Sequence, residues 1–223
     1  MTETQWLRAI CIHISVRDLA LQHLSERKRR LFACACCRRI WQLLVQDELK
    51  QAVEAAEQYA DGLRTKRSLG QVRKKIKPIA NMAHHRHFYA CAVAWALDRH
   101  EQYPLVSAQY ASEALAFATT GQFHSPDYKK FMEAEQAEQI KLLRDVVGNP
   151  FRPVTVKPAW LTTTVVALAH GIYEECAFDR LPILGDALQD AGCDNADILN
   201  HCCDESLPHV RGCWVMDLVL QKQ

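Results

Sequence analysis

The chain has 223 residues and a mass of 25.4 kDa, room for one domain or two small ones and for a substantial buried core. It is 49% hydrophobic and 24% charged, the balance of a globular protein, and its eight Gly and eight Pro argue against a loop-rich, many-stranded β architecture. The net charge of +1 conceals a division: residues 1–100 carry 18 Lys/Arg against 9 Asp/Glu (+9), and residues 101–223 carry 9 against 17 (−8). A two-ended distribution points to a partner surface, or to one half docking on the other.

The N-terminus, Met1-Thr2-Glu3-Thr4-Gln5, lacks the basic-then-apolar run of a secretory signal. No apolar run reaches the roughly 18–20 residues needed to span a bilayer. The ten cysteines therefore read as reduced thiols of a cytoplasmic protein, most of them small buried apolar groups, and no membrane partner is expected.

Helical periodicity dominates the chain. After a Ser25 N-cap, Leu31, Cys34, Cys37/Arg38, Trp41 and Leu44/Val45 recur at three- and four-residue spacing. A second helix is expected from an Asp47 cap, with Leu49, Ala52, Val53, Ala56, Tyr59 and Ala60 inward and Gly62 as its stop. Pro78 is expected to interrupt the following segment, with helix resuming from Ala80 to about Arg99. Pro104 suits the first turn of another helix ending near Gly121. Ser125-Pro126 opens a long charged helix to about Val147, closed by Gly148-Asn149-Pro150.

The stretch from Pro150 to Pro158 holds Pro150, Pro153 and Pro158 and reads as an extended connection. Beyond it, Thr162 to Cys176, Leu181 to Ala191, Asp194 to Cys203 and Val210 to Leu220 read as shorter helices, with Gly192 as a cap. Val154-Thr155-Val156 is the best strand candidate and is too short to found a sheet. The expectation is an all-α, multi-helix bundle: an N-terminal helical domain over 1–147, a Pro-rich connection over 148–158, and a small helical subdomain over 159–223.

Several residue groups could carry chemistry. Cys193, His201, Cys202, Cys203, His209 and Cys213 fall within 21 positions. Zinc takes four N or S ligands, and Cys193, His201, Cys202, His209 and Cys213 are the candidates. Adjacent helical residues point about 100° apart, so His201 and Cys202 cannot both ligate comfortably. The competing reading is that the thiols fill a core and the histidines hydrogen-bond locally. Cys34 and Cys37 form a Cys-x2-Cys pair, but inside an amphipathic helix, where packing outweighs redox work. His84, His87 and Cys91 share one helical face without a nearby carboxylate.

Arg64, Lys66, Arg67, Arg73, Lys74, Lys75 and Lys77 are the clearest nucleic-acid signal, because no acidic residue lies between Gly62 and Leu97. Arg27-Lys28-Arg29-Arg30 and Arg38-Arg39 could extend that surface. The simpler reading is a solvated face, or a dock for the helix bearing Glu133, Glu135 and Glu138. Arg8 with His13, or Arg17 with His23, has the spacing of a helical nuclease pair, a pattern expected by chance among ten His. Ser/His/Asp and phosphate-loop signatures are absent.

Long strings carry a family resemblance: Arg30-Leu31-Phe32-Ala33-Cys34-Ala35-Cys36-Cys37-Arg38-Arg39-Ile40-Trp41, Ala52 to Gly62, Gly148-Asn149-Pro150-Phe151-Arg152-Pro153-Val154, Ala177-Phe178-Asp179-Arg180-Leu181-Pro182-Ile183-Leu184 and His209-Val210-Arg211-Gly212-Cys213-Trp214-Val215. With these the chain resembles a bacterial family abundant in Planctomycetes, whose members sometimes lie beside repeat-companion domains. The resemblance implies an interaction role and carries no catalytic residue over. Residues 64–133 fall outside it. The expected function is a non-catalytic cytoplasmic module binding another macromolecule, foremost a protein. Nucleic-acid binding through residues 64–77 and a zinc-stabilised helical domain are the alternatives, and no cofactor other than zinc is suggested.

Overall fold

The chain is seen here in a computed structural model that describes residues 1–11, 16, 18, 22–81, 88–98 and 103–222, with the backbone alone for 103–105. Among the described residues there are eleven α-helices and no β-strand, the all-α class expected. No helix of these residues is long and apolar enough to cross a membrane. The chain divides into two compact units, Met1–Ile140 and Lys141–Gln223.

The first unit contains α1 (Glu3–Arg8), α2 (Glu26–Arg39), α3 (Asp47–Ala60), α4 (Lys66–Asn81), α5 (Phe88–Ala96), α6 (Tyr103–Thr120) and most of α7 (Pro126–Val147). Helix α2 is the axis of the bundle, packing on α3, α5 and α6. Eight consecutive residues of it, Arg30 to Cys37, are buried, so this helix meets protein on every side. That explains its composition: Ala33, Cys34, Ala35, Cys36 and Cys37 are small enough for neighbouring helices to approach from all directions. Its buried cation, Arg30, donates to the Ala96 carbonyl at 2.9 Å and to Glu26 at 3.2 Å, over the Tyr59 ring.

Capping chemistry sets the helix limits. Ser25 accepts from the Lys28 N–H, and Ser125 accepts from that of Tyr128. Gly62, at φ +75°, closes α3 with a Schellman pair: its N–H bonds the Tyr59 carbonyl and that of Leu63 the Gln58 carbonyl.

Three expectations need correction in this unit, and a fourth is described only in part. Helix α2 stops at Arg39 and a 3-10 turn over Trp41–Leu43 breaks the register, so Leu44 is buried but Val45 is 71% exposed. Asp47 is the first helical residue, after a Gln46 N-cap without a side-chain bond; its carboxylate still complements the helix dipole. Pro78 does not interrupt α4: it lies on an exposed face in the last turn, where water can replace the one lost bond. The helix expected from Ala80 is α5, Phe88–Ala96, and residues 82–87 and 99 lie outside the described ones.

The second unit contains the end of α7, then α8 (Thr163–Glu175), α9 (Leu181–Asp190), α10 (Ala196–Cys203) and α11 (Trp214–Val219). Trp160, Val165, Ile172, Leu181, Leu184, Leu188, Ile198, Cys202, Val215 and Met216 form its core. Val154 and Val156 pack against that core as irregular backbone rather than as a strand. Gly185 lets α9 and α10 touch: a Cβ there would lie 2.9 Å from Cys202 Cβ. Helix α11 begins at Trp214 rather than Val210, because Gly212 at φ +92° turns the chain first. The division between units falls inside α7, ahead of the Gly148–Pro158 connection expected to mark it. The last turn of α7 is held into the second unit by Asp145, described next.

Candidate metal centre

Four side chains of the second unit converge on one point. Asp145 sits in the last turn of α7, a place where an acid opposes the helix dipole and so needs a compensating partner. Gly148 ends that helix at φ +72°, its N–H bonded to the Arg144 carbonyl, with the Trp214 ring where a Cβ would meet it at 3.0 Å. Asn195 caps α10, and that helix carries His201 in its last turn. A turn in which Asp204 accepts from the Ser206 N–H and hydroxyl leads back to His209. A turn bonding the Cys213 N–H to the Val210 carbonyl then delivers Cys213 as the N-cap of α11.

His201 Nε2, His209 Nδ1, Cys213 Sγ and an Asp145 carboxylate oxygen all lie within 4.8 Å of one another. Asp145 Oδ1 is 2.7 Å from His209 Nδ1 and 3.1 Å from His201 Nε2, and His201 Nε2 is 3.2 Å from Cys213 Sγ. The Val210 N–H donates to Oδ2 at 3.0 Å, leaving Oδ1 to face the cluster. The Asp145 side chain is fully buried, and those of His201 and His209 are 9% and 7% exposed. The two imidazoles stand at 71° with centroids 4.8 Å apart, and Trp214 covers His201 at 5.0 Å.

Proton counting limits what hydrogen bonds can do here. His201 Nε2 faces two heavy atoms, a carboxylate oxygen and a sulfur, with at most one proton to offer. His209 Nε2 is buried without a partner, so the ring's placement rests on Nδ1. Burial alone would push the Asp145 carboxyl up, but the hydrogen bonds and charges of His201 and His209 outweigh it and hold it below its ordinary value. Burial, and then the Asp145 carboxylate, push the Cys213 thiol well up.

A divalent cation would satisfy all four donors at once. Zinc–ligand bonds of about 2.0–2.3 Å in a tetrahedron place donor atoms roughly 3.3–3.7 Å apart; the shortest pair here is 2.7 Å apart and all lie within 4.8 Å, so an ion would require shifts of up to about 1 Å between pairs. The Val210 amide is the outer-shell bond that aims the carboxylate.

The sequence candidates for zinc thus separate. His201, His209 and Cys213 come together, whereas Cys193 and Cys202 are core residues. Cys193 follows the Gly192 cap and bonds its N–H to the Leu188 carbonyl. Cys202 faces Gly185, and burial pushes its thiol up to about 12. Asp145, absent from the sequence candidates, completes the set; its signal was an acid in the closing turn of a helix.

Other candidates resolve differently. Cys34 and Cys37 are buried, their thiols 3.8 Å from the Val53 carbonyl and 3.7 Å from Ser107 Oγ, and burial drives Cys37 to about 12. Neither thiol is activated. Cys91 lies 3.8 Å from the Ala80 carbonyl, while His84 and His87 lie outside the described residues. Arg8 and His23 are exposed, and His13 and Arg17 also lie outside.

Arg64, Lys66, Arg67, Arg73, Lys74, Lys75 and Lys77 are all exposed on α4 or just before it. Arg64 donates to Gln58, and Arg73 pairs with Asp98. Of the arginines expected to extend this surface, four are committed to carboxylates, Arg27 to Asp61, Arg30 to Glu26, Arg38 to Glu57 and Arg39 to Glu135, and Arg29 donates to the Leu24 carbonyl. Glu135 therefore meets α2 and not the basic segment. Comparison of the chain with protein-family models, with curated protein sequences and with solved structures finds no match.

Proposed function

We propose that this chain is a non-catalytic cytoplasmic interaction module whose C-terminal unit is folded around a structural zinc ion. The observation that carries the reading is the convergence of Asp145, His201, His209 and Cys213 on one buried point. Imidazole and thiolate donors suit zinc, and two nitrogens, a sulfur and an oxygen make a complete tetrahedral set. A catalytic zinc keeps one position open for water or substrate; here the chain fills all four. The ion's role is then to hold the end of α7, α10 and the start of α11 together. The module's partner is another macromolecule, a reading supported by the charge division between residues 1–100 and 101–223.

The test is metal analysis of protein purified without chelator, followed by cobalt substitution. About one equivalent of zinc is expected, and cobalt should give tetrahedral ligand-field bands with a thiolate charge-transfer band that Cys213→Ser removes. Zinc below about 0.2 equivalents, together with no cobalt spectrum, overturns the reading.

A further inference from the structure

The first unit holds a groove that goes beyond this reading and is independent of the metal site. Its volume is about 570 Å³, and its walls come from α4, α5 and α6. One wall is a stripe of cations. Lys66, Arg73, Lys74 and Lys77 all line the groove, spaced so that they share one face of α4. From Lys66 to Lys77 that stripe runs about 16 Å along the helix at 1.5 Å per residue. Lys66, Lys74 and Lys77 are exposed and have no ion-pair partner among the described residues. The carboxylate in the lining, Asp98, is engaged by Arg73. The opposite wall is apolar and aromatic: Ala94, Leu97, and the stacked pair Trp95 and Tyr110, with ring centroids 6.5 Å apart at 23°.

We propose that this groove binds single-stranded nucleic acid, with phosphates along the α4 cations and a base against the Trp95–Tyr110 pair. Three features select that occupant. Cations spread over about 16 Å require a ligand charged along its length, unlike a fatty acid with one anionic head. Flat aromatic surface beside them matches a polyanion whose repeating units carry π faces, which an acidic peptide does not. A single line of cations along one helix face, and the lack of any groove-reading motif, match backbone tracking with stacking rather than duplex readout.

The experiment is fluorescence anisotropy of the full chain with a labelled 12-nucleotide single strand, over a series of salt concentrations. Two variants with the same change of charge are compared. Lys74→Glu/Lys77→Glu alters the groove; Arg67→Glu/Lys75→Glu alters residues of α4 that do not line it. The groove variant should lose about tenfold or more in affinity at low salt, and its slope of log K against log salt should fall by about 1.4, for two phosphate contacts. The control should change by less than about threefold. Trp95→Leu should weaken binding about fivefold or more with the slope unchanged, as loss of stacking requires. Circular dichroism keeps the variants interpretable by confirming unaltered helicity. Equal losses in both charge variants overturn the proposal. So does a strand bound no more tightly than a free mononucleotide, or displacement of the strand at equal concentration by oleate or by poly-glutamate.

Discussion

The two units bury carboxylates in different ways. In the first, Glu57 receives two hydrogen bonds from Arg38, at 3.0 and 2.7 Å, and Glu135 receives two from Arg39, at 2.6 and 2.8 Å. Glu57 and Glu135 each face a permanent cation in fork geometry, and Arg38 and Arg39 are held further in their charged form by that bond. In the second unit the fully buried Asp145 meets two imidazoles, a thiol and one amide, and no Lys or Arg among the described residues pairs with it. A carboxylate in that position needs a positive charge from somewhere, because an unpaired buried charge costs several kcal/mol. The first unit supplies its counter-charge from arginines; the second supplies two imidazoles and a thiol around its carboxylate, a set that a bound metal ion would complete.

The comparison is broken most directly by withdrawing metal. Chelation should unfold the second unit while the helices of the first persist, because apparent zinc-binding energies of about 10–16 kcal/mol in structural sites are folding energy for that unit alone. Hydrogen exchange read by mass spectrometry should lose protection over residues 141–223 and keep it over α2 and α3. Uniform loss, or none, would remove the distinction between the units. Asp145→Ala should mimic chelation, whereas Cys37→Ala, which deletes a buried thiol in contact with the Ser107 hydroxyl, should cost only about 1–2 kcal/mol in a denaturant melt.

Next in size is the fork itself. The Glu135 side chain is 1% exposed and that of Arg39 is 29% exposed. Arg39→Met should destabilise the first unit by about 2–4 kcal/mol, since it strands a buried carboxylate, and Arg39→Met/Glu135→Leu should recover most of that loss. If the double variant is no better than the single one, the cost lies in packing and not in the unpaired charge. Smaller again is Gly185→Ala. Its new methyl would stand 2.9 Å from Cys202 Cβ, so α9 and α10 must part at a cost of about 1–3 kcal/mol. Cys202→Ala should give no rescue, because the obstructing atom is the Cβ that both residues share; thermal melting of the two variants decides it.

Much of this architecture is legible in the sequence because it is local. Ser25, Gly62, Ser125, Gly148 and Gly192 end helices through bonds to residues only a few positions away. The same density of Cys and His that nominates His201, His209 and Cys213 also nominates Cys193 and Cys202, since spacing cannot tell a ligand from core filler. Asp145 offers a weaker cue for the converse reason: its acid in a helix's closing turn lies 64 residues before His209, in a helix that otherwise reads as charged surface. Only the fold brings the two together. The basic face was visible as a run of charge, but its stacked aromatic wall was not, because Tyr110 comes from a separate helix, α6. The arginines of α2 misled for a related reason: a cation's partner, Asp61, Glu57 or Glu135, is set by tertiary structure.

The smallest effect sharpens the contrast from the surface side. Asp194 in the second unit is exposed and accepts from Lys157 Nζ at 2.9 and 3.1 Å, an ion pair of the same chemistry as the Arg39 fork but open to water. The Lys157 hydrogen bond holds the Asp194 carboxyl below its ordinary value. A carboxyl whose folded pKa is depressed contributes stability above its unfolded value, near about 3.9, and loses it as pH falls through the folded one. Asp194→Asn should therefore leave the melting temperature at pH 7 almost unchanged, because solvent screens an exposed pair. What it should alter is the acid limb: the variant's melting curve should fall slightly less steeply below about pH 4. If Asp194→Asn instead destabilised the protein at neutral pH as much as Arg39→Met does, burial would not be what separates a consequential ion pair from an incidental one.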